Sequence, residues 1–343
     1  MKVLALDFGG SYLKYALVDE NAVLSNKGEV PSPATGLEAF VDAIKGVYEK
    51  FADQVEGIAI SMPGNLDSST GYARTAGALL DLYGQNVFDL LKDIPVPKAV
   101  ENDGKSGALA EVWKGSLAEC QDGVVVIIGT GLAGGVIKDR RIHKGKNLAA
   151  GEFSCLLVKP GEMSMQNMMV GPGAMMGLTM AVAMAKGIDL STLETAALME
   201  NAKEKNAFDV EEQMGATEAA KVEPAAEQVR VDGPQIFQWL EEGDPVVTAI
   251  YQNFVDHLAY MAFNLQITLD PDKIVFGGGV TRQPRLIKDI QASMDKMMDQ
   301  ANGIGIPLPF VAPTLGVCEF VSDANLVGAT YNYMIHHHPE LAK

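Results

Sequence analysis

Apolar residues at positions 3–6 run into Asp7-Phe8-Gly9-Gly10-Ser11, and a second apolar run at 15–18 follows at once. Two short apolar runs joined by a glycine turn predict a β-hairpin. Further strand-like runs fall at 57–61, 124–128, 135–137 and 273–276, and a short one around Val100 ends in Glu101-Asn102-Asp103. Apolar positions return with helical period over 36–51, 105–114, 170–185, 246–269 and 286–301. Hairpins mixed with strand–helix alternation predict an α/β protein with a mixed sheet. The hairpin pattern also occurs twice. Val125-Val126-Ile127-Ile128-Gly129-Thr130-Gly131 and the following Leu132-Ala133-Gly134-Gly135 echo the opening strand, turn and returning strand. Two such units face to face would clamp a phosphate between two lobes.

Size and charge narrow the reading. A chain of 343 residues suits two packed lobes better than one core. The net charge of −17 opposes any general affinity for nucleic acid. Much of the excess lies between Glu194 and Asp244, where few cations oppose it, and it reads as a solvated helical face or mobile insertion. Cys120, Cys155 and Cys318 are far apart and form no CxxC pair, so neither a disulfide framework nor zinc-ligand spacing is present. A cytoplasmic location is the expectation. No leader and no apolar run long enough to span a bilayer stands in the sequence, so no membrane partner is expected. Methionines cluster from Met163 to Met184; their spacing predicts a flexible core or oligomer interface rather than a soft-metal site. Gly171-Pro172-Gly173 reads as the turn that opens the helix there.

The first hairpin is a candidate phosphate site. Gly9 and Gly10 suit a turn with φ > 0 and leave no Cβ to block a ligand, and Asp7 is placed to hold Mg²⁺ through water. Glycines serving the hairpin alone would give the same pattern. Three more motifs follow in order: Asn102-Asp103-Gly104-Lys105-Ser106 at the start of a helix, the Gly129-Thr130-Gly131 turn, and Ile274-Val275-Phe276 running into Gly277-Gly278-Gly279. Adjacent glycines let a backbone approach a flat ligand such as adenine.

This order resembles the sugar kinases of the ROK family (repressors, open reading frames and kinases) in the actin–hexokinase superfamily. Ser61-Met62-Pro63-Gly64, Arg141-Ile142-His143-Lys144-Gly145 with Ala150-Gly151-Glu152, and Ser322-Asp323-Ala324-Asn325 extend the resemblance over nearly the whole chain. It implies a two-lobed, ribonuclease H-like α/β fold with a nucleotide cleft between the lobes. One lobe is expected at 1–112 with 322–343, the other at 113–321 with an acidic helical insertion at about 190–245. It implies ATP and Mg²⁺ as cofactors, with Asp7, Gly9, Gly10, Ser11, Lys14, Gly129, Thr130, Gly131, Gly277 and Gly278 on the nucleotide side. Asp103 takes the role of general base towards a sugar hydroxyl, most naturally the 6-hydroxyl of a hexose or its derivative. The residues alone also allow Asp103 to be a helix N-cap. Asn102, Gly64 and Glu152 would bind the sugar, and a homodimer is implied.

Three departures from the family pattern carry their own expectations. Glu152 is followed by Phe153-Ser154-Cys155, without the cysteine cluster that binds structural zinc in many members, so a zinc-free branch is expected. Residues 163–176 would then pack hydrophobically, with Cys155 a small buried residue. Ala78 replaces a polar sugar contact, and Ala133 replaces a glycine. Glucose, fructose, N-acetylmannosamine and β-glucosides all stand as acceptors. A transcription factor is disfavoured, because the chain opens on the phosphate strand and is acidic. A catalytically weak sugar- or nucleotide-binding protein of the same fold is the remaining alternative.

Overall fold

The computed structural model describes residues 1–33, 35–77, 79–193, 231–303 and 311–342. Five strands form the first sheet: β1 (Lys2–Phe8), β2 (Tyr12–Asp19), β3 (Leu24–Pro31), β4 (Gly57–Met62) and β7 (Lys98–Asn102), in the order β3-β2-β1-β4-β7. A short ribbon, β5 (Leu66–Asp67) and β6 (Tyr72–Ala73), stands apart. The second sheet has β8 (Gly123–Ile128), β9 (Leu132–Lys138), β10 (Arg141–His143), β11 (Lys273–Gly277) and β12 (Leu315–Val317), in the order β10-β9-β8-β11-β12. In both sheets the first three strands run antiparallel and the last two continue parallel. The internal echo in the sequence is thus a repeated sheet, and the expected mixed α/β architecture is met.

Eight α-helices lie among the described residues: α1 (Leu37–Tyr48), α2 (Val87–Leu90), α3 (Asp103–Lys114), α4 (Met175–Ala185), α5 (Gly233–Glu241), α6 (Pro245–Leu269), α7 (Pro284–Gly303) and α8 (Ala324–His337). Local chemistry sets their ends. At α6, Asp244 Oδ1 accepts from Val246 N (2.9 Å) and Val247 N (3.0 Å), Pro245 fills the first helical position, and Asp270 closes the helix at φ 46°. One core packs α1 on the first sheet, and another packs α4–α7 on the second. A third joins α3 and α8 to β8, β9 and β11. Helix α3 lies on β9 and β8, α8 lies on β1, β4 and β7, and the two helices pack on each other. The two halves are therefore joined through a helix pair.

Two expectations change here. The acidic segment does not end as a solvated face: Val231, Ile236, Phe237 and Leu240 are buried in the second core, because α5 turns its apolar side inward. Residues 194–230 of that segment lie outside the described residues. The methionine stretch is mixed, with Met169 and Met180 buried and Met163 exposed. No helix among the described residues is long and apolar enough to cross a membrane.

Candidate active site

The β1–β2 register sets Lys14 directly opposite Asp7, so an exposed ammonium stands beside a buried carboxylate at the end of β1. Asp7 Oδ1 accepts from Ser61 Oγ on β4 (2.9 Å) and from Asn325 Nδ2 on α8 (3.0 Å). Burial pushes the Asp7 carboxyl up. The Asn325 and Ser61 bonds oppose that, the charge of Asp103 adds to it, and Lys14 pulls it down.

Gly9, Gly10 and Ser11 form the exposed tip of this hairpin, where Gly9 N donates to Tyr12 O (3.0 Å). Neither glycine has a positive φ, which corrects the reason expected for them. A Cβ on Gly10 would meet nothing within 4 Å and one on Gly9 would sit 3.1 Å from Tyr12 O, so their effect is to leave the turn bare. The second tip, Gly129-Thr130-Gly131, is likewise free of positive φ. It is braced by the start of α4, where Met175 N donates to Gly129 O (3.0 Å) and Met176 N to Thr130 O (3.1 Å). Gly278 does need to be glycine: its φ is 97°, and a Cβ would fall 2.1 Å from Ile128 O.

A cavity of about 200 Å³ gathers Asp7, Lys14, Gly277 and Gly278 from the predicted set, with Glu111 and Asn325. The hairpin tips lie outside that lining. Glu111 escaped the sequence reading. Its Oε2 accepts from Ser116 N (2.8 Å) and Glu319 N (3.1 Å), and its Oε1 from Phe320 N (2.9 Å), which fastens the segment after β12 to α3. Burial pushes its carboxyl up, against those backbone donors. A glutamate inside the otherwise apolar run 108–113 was the available signal.

The acceptor side is built where β7 runs into α3. Asn102 Oδ1 caps the helix by accepting from Lys105 N (3.0 Å), so the capping role falls on Asn102 and not on Asp103. Asn102 Nδ2 donates to Gly64 O (3.0 Å) and to Asp103 Oδ1 (2.8 Å). Asp103 Oδ1 also accepts from Gly104 N (2.8 Å). Burial pushes the Asp103 carboxyl up; the Gly104 bond lowers it, Glu152 raises it, and Lys105 lowers it. Gly64 holds φ 113° against the backbone of Thr75. Glu152 Oε1 accepts from Lys105 Nζ (2.8 Å). Asn102, Asp103, Gly64 and Glu152 are thus linked through one set of hydrogen bonds and charges.

The loop after β10 closes over this side. Lys144 Nζ lies 2.5 Å from Glu101 Oε2, which also accepts from Ser68 Oγ (2.9 Å) and has no exposed surface. Asn65 Nδ2 and Arg74 Nη1 both donate to Asn147 O, at 3.1 and 3.4 Å. Cys155 is exposed, against expectation, because Phe153 takes the core position of the short turn they share. Ala78 lies outside the described residues. Ala133 packs near the start of α3, since a Cβ on Gly104 would lie 3.1 Å from its own. Among the described residues no cluster of three or more His, Cys, Asp or Glu is placed to hold a metal.

The family model described as "ROK family" matches residues 3–170 and 194–316. The chain belongs to the ROK family. The acidic segment from Glu194 to Asp244 falls inside this match. The chain is similar to a β-glucoside kinase of Listeria monocytogenes, 24% identical over 337 residues that cover 97% of this chain and 98% of the relative. In structure it is similar to a ROK family protein of Streptococcus pneumoniae in complex with sucrose, with TM-score 0.78, 22% identity and coverage of 99% and 100%. It is also similar to a ROK family glucokinase of Streptomyces griseus in complex with glucose and AMPPNP, with TM-score 0.69, 21% identity and coverage of 96% and 98%. The repeated sheets joined through α3 and α8 are those of the actin–hexokinase-like fold.

Proposed function

We propose that this ROK-family protein is a sugar kinase that transfers the γ-phosphoryl group of ATP to the 6-hydroxyl of a hexose or hexose derivative, with Asp103 as general base. The observation that carries the reading is the join of β7 to α3, where Asp103 Oδ1 is held by Asn102 Nδ2 and Gly104 N (2.8 Å each), Asn102 Nδ2 also reaches Gly64 O, and Lys105 ties Glu152 to the same turn. A half-buried carboxylate that desolvation pushes upward suits a base that takes a proton late, as the attacking oxygen bonds to phosphorus. Asn102, Gly64 and Glu152 hold the sugar so that its hydroxyl meets Asp103.

The residues fit ATP and Mg²⁺. Asp7 keeps one oxygen fixed by two donors while lining the cavity, which suits a carboxylate that holds the ion through water. Magnesium, when bound, offsets phosphate charge. The amides of Gly10 and Ser11, and of Thr130 and Gly131, take phosphate oxygens from two sides, with Lys14 adding charge, while Gly9 and Gly129 close the two turns through their own N–H bonds to Tyr12 O and Gly131 O. Gly277 and Gly278 let the nucleoside approach the backbone. The lobes divide at 1–112 with 322–343 and at 113–321, and closing them about α3 and α8 excludes water. No zinc is required, and the protein acts as a cytoplasmic homodimer.

The test is ADP release with glucose, fructose, N-acetylmannosamine and a β-glucoside, for the wild type and Asp103→Asn. Turnover on one acceptor that Asp103→Asn abolishes is expected. Turnover that survives Asp103→Asn would remove the base, and release on no acceptor would favour a binding protein of this fold.

A further inference from the structure

Lys105 breaks two local rules at once. It lies in the first turn of α3, where the helix dipole disfavours a cation, and its side chain is 2% exposed, where an ammonium loses its hydration. The burial follows from backbone packing. A Cβ on Gly104 would come 2.7 Å from Gly134 N, and one on Gly135 would come 3.6 Å from Lys105 Cα, so the first turn is pressed onto β9. Gly151, at φ 88°, pins the neighbouring loop on the same stretch, since a Cβ there would sit 3.1 Å from Gly134 O. The compensation for Lys105 is its 2.8 Å bond to Glu152 Oε1, and Glu152 remains 42% exposed. Sequence rules broken together mark a position held for function.

The surrounding charges pair off in a consistent way. Asp7 on β1 faces Lys14 on β2, and Glu101 at the end of β7 meets Lys144 from the loop after β10. Asp103, whose charge also reaches Asp7, and Glu152 are left with Lys105 as their cation. Two carboxylates in a cleft cleared of water repel each other strongly, and a cation held among them offsets that.

We propose that Lys105 is a positioning residue whose ammonium fixes the Glu152 carboxylate and balances its charge beside Asp103, so that a sugar-binding and a proton-accepting carboxylate share one closed cleft. The roles of the two carboxylates rest on the proposed kinase activity; the charge balance does not. Burial is the main upward push on Asp103, Glu152 adds to it and Lys105 counters it.

The experiment is a carbon-13 NMR titration of the Asp103 carboxyl in the full-length protein, assigned with Asp103→Asn, beside the pH profile of kcat/KM. Lys105→Met is expected to raise both the titration and the acid limb by about one pH unit or more. Lys105→Arg restores them, because the charge returns without the original side chain. Glu152→Gln lowers them, and adding it to Lys105→Met reverses the upward shift. A Lys105→Met titration that overlays the wild type overturns the proposal, as does a shift that Glu152→Gln leaves in place. Should Lys105→Met fail to fold, Glu152→Gln alone decides by the presence or absence of its downward shift. If the wild type transfers phosphate to no sugar, the kinase reading fails while the NMR titration still decides the charge balance.

Discussion

Where α3 and α8 cross, the backbones touch, and Gly328→Ala is the sharpest perturbation of the joint between the two halves. A Cβ on Gly328 would lie 1.6 Å from Ser106 O, 2.5 Å from its carbonyl carbon and 3.0 Å from its Cα. Ordinary contact begins at 3.4 Å, so the helices must part by about 2 Å or the site must distort. Overpacking of this size costs about 3 kcal/mol. Alanine returns about 1 kcal/mol of helix propensity, leaving a net loss of about 2 kcal/mol. One turn earlier on α8, Asn325 would withdraw from its 3.0 Å bond to Asp7, and the stack of Trp113 on Tyr331, with centroids 5.1 Å apart, would open. Urea unfolding measures the stability, and Gly46→Ala is the control. Gly46 lies exposed within α1, where a Cβ would meet nothing within 4 Å, so that change is expected to stabilise by about 0.5 kcal/mol. A Gly328→Ala protein as stable as the wild type, with an unchanged m-value, would refute the reasoning.

Other outcomes follow from single contacts. Lys144→Met strips the fully buried Glu101 of its ammonium, and is expected to lower unfolding stability by about 3 kcal/mol; a loss within error of zero would show that Ser68 Oγ and the backbone N–H of Asn102, which donates to Glu101 Oε1 (2.9 Å), suffice. Asp103→Asn is expected to raise the melting temperature at neutral pH while abolishing turnover. Burial holds the folded pKa above the ordinary aspartate value of 3.8, so the folded state binds the proton more tightly. The ionised carboxylate therefore destabilises the fold increasingly as pH rises from that value through the folded one, and the advantage of asparagine should vanish below about pH 4. A melting-temperature difference independent of pH would contradict this. Gly278→Ala sets a Cβ 2.1 Å from Ile128 O at a φ of 97°; calorimetry should find ATP affinity reduced at least about tenfold, by the conversion of 1.4 kcal/mol, with sugar affinity kept.

The elements with a buried face were legible because burial writes itself into apolar spacing. Helix α6 runs Pro245–Leu269, where the period placed it at 246–269. The edge strand β3 left no such mark: all its residues are exposed or half-buried, and it carries Ser25, Asn26, Lys27 and Gly28. Helix α5 was hidden by acidic neighbours although Ile236, Phe237 and Leu240 are buried. In the candidate site, the order of motifs pointed to Asp7, Asn102, Asp103, Gly64 and Glu152; hydrogen bonds join Asn102 to Gly64 and Asp103, and Lys105 joins Glu152 to the same turn, while Asp7 is tied instead to Ser61 and Asn325. Glycine content alone did not tell the bare turns at Gly9 and Gly10 from the positive φ at Gly278. The pairing of Lys105 with Glu152 joins residues distant in sequence, so only the packing of α3 and the 151–155 loop on β9 brings it into view.

The proposed reaction is phosphoryl transfer to a sugar with Asp103 as base. Its most direct test is a phosphorus–proton NMR correlation on the product formed from ATP and the acceptor that releases ADP fastest. One new phosphomonoester coupled to the two protons of the C6 methylene is expected, and no such signal with Asp103→Asn. Phosphorus coupled to a ring proton would contradict the assigned hydroxyl, and inorganic phosphate as the sole new signal would contradict sugar phosphorylation itself.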